Sequence, residues 1–242
     1  MKLDVLAIAA HPDDAELSCS GVLLNEKLKG KTTGIVDLTQ GELGTRGTAE
    51  TRKAEAAAAA AILQLDVRDN LQLADGFFTH SEESLKKVIQ AIRKYQPEII
   101  LCNAPEDRHP DHGKGASLAE DAAFLAGLRK IETYDGGVIQ PIWKPAYVFN
   151  YIQDRYLHPN FVVDITDVMD KKIESIKAYG TQFFNPDLNE PQTYISTPEF
   201  IDGIVHRASM LGKMIGVKYA EGFISKKMIG IHDFDALVKQ IT

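Results

Sequence analysis

Residues 3–16, LDVLAIAAHPDDAE, pass from an apolar run straight into a histidine, a proline and two adjacent aspartates. Residues 3–10 are almost wholly apolar, as a strand covered on both faces of a sheet must be. The helix that follows is expected over 14–29, with Gly30 at its C-terminal stop. A strand meeting its helix through only a short polar turn is the opening of a β-α unit. Adjacent carboxylates at that turn repel each other unless something binds them.

The alternation continues outward from this segment. Strands are expected at 32–39, 67–73 and 98–103, and helices at 50–65 and 81–95. The six alanines at 56–61 favour helix and permit close packing on a sheet. The 81–95 helix has Glu82 and Glu83 in its first turn and Arg93 and Lys94 in its last, as the helix dipole favours. This order predicts an α/β fold: a Rossmann-like, doubly wound, mostly parallel sheet of order 3-2-1-4-5 with helices on both faces. Beyond residue 128 the pattern loosens. Residues 129–145 read as loop, 146–152 and 161–165 as strands, and 167–183 as a helix. The Asn/Pro/Gln-rich stretch 184–196 reads as a long loop, here expected to be a mobile flap. Thr197 and Pro198 then open a helix reaching about residue 216.

The chain has 242 residues, 44% of them hydrophobic, enough for one domain spanning 1–242. A net charge of −7 offers no basic surface to nucleic acid. The apolar run before His11 is too short for a secretory signal or a membrane span, so a soluble, cytoplasmic protein without membrane partners is expected. Cys19 and Cys102 both sit in apolar segments and read as buried free thiols, in keeping with a reducing compartment.

Two motifs stand out. His11-Pro12-Asp13-Asp14 directly follows the first strand, and Arg108-His109-Pro110-Asp111-His112 comes shortly after the fourth. In the expected sheet those strands are neighbours, and their carboxyl ends flank the switch point where ligands bind. The motifs are thereby brought together, with three histidines and three aspartates as nitrogen and oxygen donors and no thiolate. Catalytic zinc takes such ligands, relieves carboxylate repulsion and acidifies a bound water. The first turn lacks Gly-x-Gly-x-x-Gly and puts carboxylates where a phosphate would sit, and no Gly-x-Ser-x-Gly elbow occurs. His80, His158, His206 and His232 have no ligand-like spacing and read as structural or surface residues.

On AAHPDDAE (9–16) and EDRHPDH (106–112) the chain resembles the PIG-L/LmbE-like zinc deacetylases, which remove acetyl from N-acetylglucosaminyl compounds. The resemblance implies that His11, Asp14 and His112 bind the metal, zinc or ferrous iron. It implies Asp13 as general base, and His109, oriented by Asp111, as stabiliser of the oxyanion or donor to the leaving amine. The family often has Glu directly after the paired aspartates; here Ala15 intervenes, and Glu16 is given no catalytic role. GELGTRGTAETRKAE (41–55) and YAEGFISKK (219–227) look most like the bacillithiol-biosynthesis branch, which acts on N-acetylglucosaminyl-L-malate. That substrate is a small dianionic sugar conjugate, so Arg46, Arg52 and Arg108 are the expected carboxylate-binding residues. Another N-acetylglucosamine conjugate (inositol or chitooligosaccharide), or a non-catalytic sugar- or metal-binding module, is the alternative. The resemblance also implies a homo-oligomer such as a hexamer.

Overall fold

A computed structural model describes residues 1–187 and 189–239. In chain order the main elements are β1 (Val5–Ala9), α1 (Asp14–Ser18), α2 (Ser20–Leu28), β2 (Thr33–Thr39), α3 (Ala49–Ile62), β3 (Val67–Leu73), α4 (Glu82–Tyr95), β4 (Ile99–Cys102) and α5 (Pro110–Leu125). A two-strand hairpin follows, β5 (Tyr134–Asp135) and β6 (Val138–Ile139). The chain continues through β7 (Tyr147–Tyr151), β8 (Phe161–Asp164), α6 (Met169–Lys177), α7 (Pro198–Ile215) and β9 (Ala220–Ser225).

The large sheet has seven strands in the order β3-β2-β1-β4-β7-β9-β8. Its first five are all parallel and run in the expected order, with β7 as the fifth strand. β9 then inserts antiparallel between β7 and β8, so the strands expected at 146–152 and 161–165 are not neighbours. Residues 220–225 hide their strand character because a charged Glu221 and a flexible Gly222 interrupt the apolar run. The burial of β1 is uninterrupted. Leu6 and Ile8 pack with α4 and α5 on one face, while Val5, Ala7 and Ala9 pack toward α2 and α6 on the other. That period of two, apolar on both sides, is what a central parallel strand requires.

There are three further local departures. The helix expected over 14–29 is broken at Cys19, whose φ of −139° is not helical. There Glu221 of β9 accepts hydrogen bonds from the Gly21 and Val22 backbone N–H groups at 2.9 and 2.8 Å, capping a fresh helix start. The segment read as loop over 129–145 contains the β5–β6 hairpin, turned by Gly136-Gly137 with φ of 56° and 82°. Glycine adopts two such residues in succession at no steric cost, which suits a tight hairpin turn. The helix expected over 167–183 keeps its α-helical part only over Met169–Lys177, and Tyr179 and Phe183 beyond its end are buried. Cys19 and Cys102 are free and buried, as expected. Among the described residues no helix is long and apolar enough to cross a membrane.

Candidate active site

The carboxyl ends of β1 and β4 lie side by side, with Ile8 paired to Cys102. The chain leaving β1 carries His11–Asp14, and α5, which follows β4, opens with proline at its first turn just after His109. His11, His109 and His112 converge there, their ring centroids 4.6 to 5.6 Å apart. A cavity of about 360 Å³ opens over them and includes Asp13, Asp14, Asp75 and Asp107 in its lining.

Asp14 is the centre of the cluster. His112 Nε2 lies 3.0 Å from its Oδ1 and His11 Nδ1 3.5 Å from its Oδ2. Each imidazole commits its other nitrogen to a different carboxylate: His11 Nε2 to Asp75 at 3.0 Å, and His112 Nδ1 to Asp107 at 2.5 Å. Without an ion, the inner nitrogens can donate to Asp14; in the neutral rings that metal binding requires, the outer contacts hold the ring hydrogens on the outer nitrogens and leave the inner lone pairs to an ion beside Asp14. The carboxylate is itself held by Asn103 Nδ2, Gln153 Nε2 and the His11 backbone N–H at 3.0–3.1 Å. Two imidazole nitrogens and one carboxylate, each fixed by an outer partner, match the three protein ligands of a catalytic zinc site. His11, Asp14 and His112 could therefore hold a metal, and two other sets that include His11 also bring their donor atoms close enough to do so: His11 with His109 and His112, and His11 with Asp75 and Asp111. Their protonation reflects the same crowding. Burial works against a charge on His112, but Asp14 and Asp107 outweigh it and push its pKa up to about 9. Burial would raise Asp14, yet the two imidazoles hold it well below the usual carboxylate range.

Asp13 sits beside this set and does not join it. Its backbone has φ 116° and ψ −26°, a region costly for any residue with a side chain. The Arg52 guanidinium of α3 secures the turn, donating from Nη2 to the Pro12 carbonyl at 2.7 Å and to Asp13 Oδ2 at 3.2 Å. Burial pushes Asp13 up to about 7, with Arg52 opposing and Asp14 adding to the rise. Four buried or half-buried cations from separate elements grip the segment 12–17: Arg52 as described, Arg68 at Glu16, Lys172 at the Glu16 carbonyl and Arg207 at the Leu17 carbonyl. Glu16 thus anchors the motif from beneath, away from the cavity lining.

His109 accepts the Asp111 backbone N–H on Nδ1 at 3.3 Å. A neutral ring in that arrangement carries its hydrogen on Nε2 and can donate there. Burial, then the charges of His11 and His112, lower its pKa. The Asp111 side chain does not perform the expected orientation of His109. Its Oδ2 accepts the Gly76 N–H at 2.7 Å and lies 3.5 Å from His11 Nε2, while Oδ1 accepts from Lys114 at 3.0 Å. Only its main chain touches His109, because the first turn of α5 directs the carboxylate toward the loop after β3.

A diacetylchitobiose deacetylase of Thermococcus kodakarensis is 30% identical over 230 residues, covering 90% of this chain and 81% of that protein. The PIG-L family model, described as GlcNAc-PI de-N-acetylase, matches residues 6–123, the span holding both motifs. The chain belongs to the PIG-L deacetylase family. Among solved structures, the conserved protein TT1542 of Thermus thermophilus superposes with TM-score 0.84 at 35% identity, covering 95% of this chain and 98% of that one. The N,N'-diacetylchitobiose deacetylase of Pyrococcus horikoshii gives TM-score 0.75 at 25% identity, with 90% and 82% covered.

Within this PIG-L deacetylase the three expected arginines occupy different places. Arg108 is exposed at the cavity mouth, its Nε 3.3 Å from Asp154 and its guanidinium over the Tyr194 ring. Arg52 lines the cavity but is committed to Asp13. Arg46 is buried and absent from the lining; it donates to the Phe183 carbonyl and lies 3.4 Å from Glu190, so the expectation that it contacts substrate is not met by its placement. From the 184–196 loop, Thr193, Tyr194 and Ile195 line the cavity; residue 188 lies outside the described residues. Sequence reasoning missed Asp75, Asn103, Asp107, Gln153 and Arg207. Asp107 lay within the quoted EDRHPDH and could have been found there, but the others carry no motif.

Proposed function

We propose that the protein is a metal-dependent N-deacetylase that hydrolyses N-acetyl-D-glucosaminyl-L-malate to glucosaminyl-malate and acetate, in bacillithiol biosynthesis. The observation that carries the hydrolytic reading is the pair of imidazole nitrogens turned on Asp14 by Asp75 and Asp107, with Asp13 buried alongside. A zinc or ferrous ion at His11, Asp14 and His112 would supply the acidity of the attacking water and positive charge near the acetyl oxygen. Asp13 takes the proton of that water as its oxygen bonds to the acetyl carbon. His109 donates from Nε2 to the oxygen that gains negative charge. The C–N bond then breaks, a proton held on Asp13 or His109 passes to the departing nitrogen, and acetate and the free amine result.

The malate assignment is supported by the 41–55 and 219–227 stretches and by the arginines around the cavity. A chitooligosaccharide substrate is the second reading, favoured by the diacetylchitobiose deacetylases to which the chain is similar. We further infer a single cytoplasmic domain that works as a homo-oligomer. Exposed Met228, Ile231, Phe234 and Leu237 near the C-terminal end support that assembly. Parallel assays on malate, inositol and chitobiose conjugates test the substrate. Preference for the malate conjugate is expected, and turnover of chitobiose alone would replace malate by the second reading.

A further inference from the structure

Three guanidinium groups line the cavity, those of Arg52, Arg108 and Arg207. Two already have a carboxylate partner within the protein: Arg52 has Asp13 at 3.2 Å and Arg108 has Asp154 at 3.3 Å. Arg207, on α7, has no carboxylate at ion-pair distance among the described residues. Its guanidinium donates to the Gln153 carbonyl from Nη1 and to the Leu17 carbonyl from Nη2 at 3.3 Å. A guanidinium has five N–H donors, so three remain for a ligand. Burial lowers its pKa, the mark of a cation deprived of water. Asp154, Asp107 and Glu221 offset that burial only from beyond ion-pair distance, and an anion entering the cavity would offset it directly.

We propose that Arg207 recognises an anionic group, a carboxylate, on the aglycone of the substrate. The inference rests on the deacetylase reading and sharpens it. Arg207 is close to the chemistry through two short connections. Gln153, whose carbonyl it holds, donates to Asp14 at 3.1 Å, and Leu17 follows Asp13 by one helical turn. In a 2-acetamido sugar the acetamide and the aglycone stand on neighbouring ring carbons. A carboxylate on the aglycone therefore enters the cavity within a sugar ring of the hydrolysed amide, and Arg207 lines that cavity. A neutral aglycone, such as a second sugar, makes no use of this charge.

The test compares metal-loaded wild type, Arg207→Met and Arg207→Lys on the malate conjugate and on the neutral methyl glycoside of N-acetylglucosamine. The ratio of the two kcat/KM values is expected to fall by roughly 10- to 150-fold in Arg207→Met, the range of a charge-assisted hydrogen bond. Arg207→Lys should recover part of that ratio. L-malate alone should inhibit wild type competitively on the methyl glycoside and inhibit Arg207→Met correspondingly less. Should Arg207→Met fail to fold, the Arg207→Lys ratio and its malate inhibition carry the same comparison. An equal loss on both substrates, with the ratio and the malate inhibition unchanged, overturns the inference and leaves Arg207 a holder of Leu17 and Gln153. No acetate from either substrate with wild type would instead overturn the deacetylase reading beneath it.

Discussion

Asp13 and Asp14 are neighbours in sequence with opposite surroundings. Asp14 faces two imidazoles and is held ionised, whereas Asp13 faces Arg52 and the cavity and is pushed toward neutrality by burial. Two carboxylates made different in this way suit the proposed division between ligand and proton carrier. Asp13→Ala should therefore retain its metal and lose about 10²- to 10⁴-fold in kcat, the usual worth of a general base. His112→Ala should lose metal and activity together, and metal analysis of both purified variants checks the assignment. A metal-free Asp13→Ala beside a metal-replete His112→Ala would reverse the roles. Asp107 touches no substrate in this mechanism, but its bond to His112 Nδ1 fixes which nitrogen faces inward. Asp107→Ala should weaken metal binding about 10- to 100-fold, as outer partners of ligating histidines typically do. Titration against a competing chelator measures it, and an unchanged affinity would detach Asp107 from the metal site.

Among the elements, the parts that positioned the two motifs were the legible ones. β1, β2 and β4 are buried on both faces, so their apolar runs survive in the sequence without interruption. Helix starts at Thr48, Ser81 and Thr197 bear the capping residues that sequence reading relies on. The α1–α2 break was illegible because its cause, Glu221, is some 200 residues away. β9 was illegible for the reciprocal reason: its charged residue is a cap for another element, not an exposed side chain. α7 and the approach to β9 also meet at a point no sequence pattern reveals. A Cβ added at Gly212 would lie 2.8 Å from the Lys218 carbonyl carbon and oxygen and from the Tyr219 nitrogen. Alanine gains up to about 1 kcal/mol over glycine in helix propensity, but crowding against backbone costs about 1–3 kcal/mol. Gly212→Ala should therefore lower stability in denaturant titration. A stabilised variant would show that the two segments can separate freely.

At the scale of the whole molecule, the parallel order from β3 through β7 places the two motifs at one switch point, and that much followed from the alternation of strands and helices. The residues proposed as ligands, His11, Asp14 and His112, all lie in the two motifs, while most of the shell around them was not legible. Asp75 comes from the turn after β3, Asn103 from the end of β4 and Gln153 from beyond β7, three places that only the folded sheet brings together. The arginines show the same limit: residue type predicted carboxylate recognition, but only tertiary contacts reveal which guanidiniums are already paired. The central claim is that this assembled shell supports metal-dependent amide hydrolysis of an N-acetylglucosaminyl conjugate. Acetate release from N-acetylglucosaminyl-malate, followed before chelation, after chelation and after zinc or ferrous iron is restored, tests it most directly. In wild type, release should be abolished by the chelator and recovered with either ion, while Asp13→Ala binds the ion and stays nearly inactive. Undiminished release from fully metal-depleted protein, or no release from the metal-loaded enzyme, would contradict it.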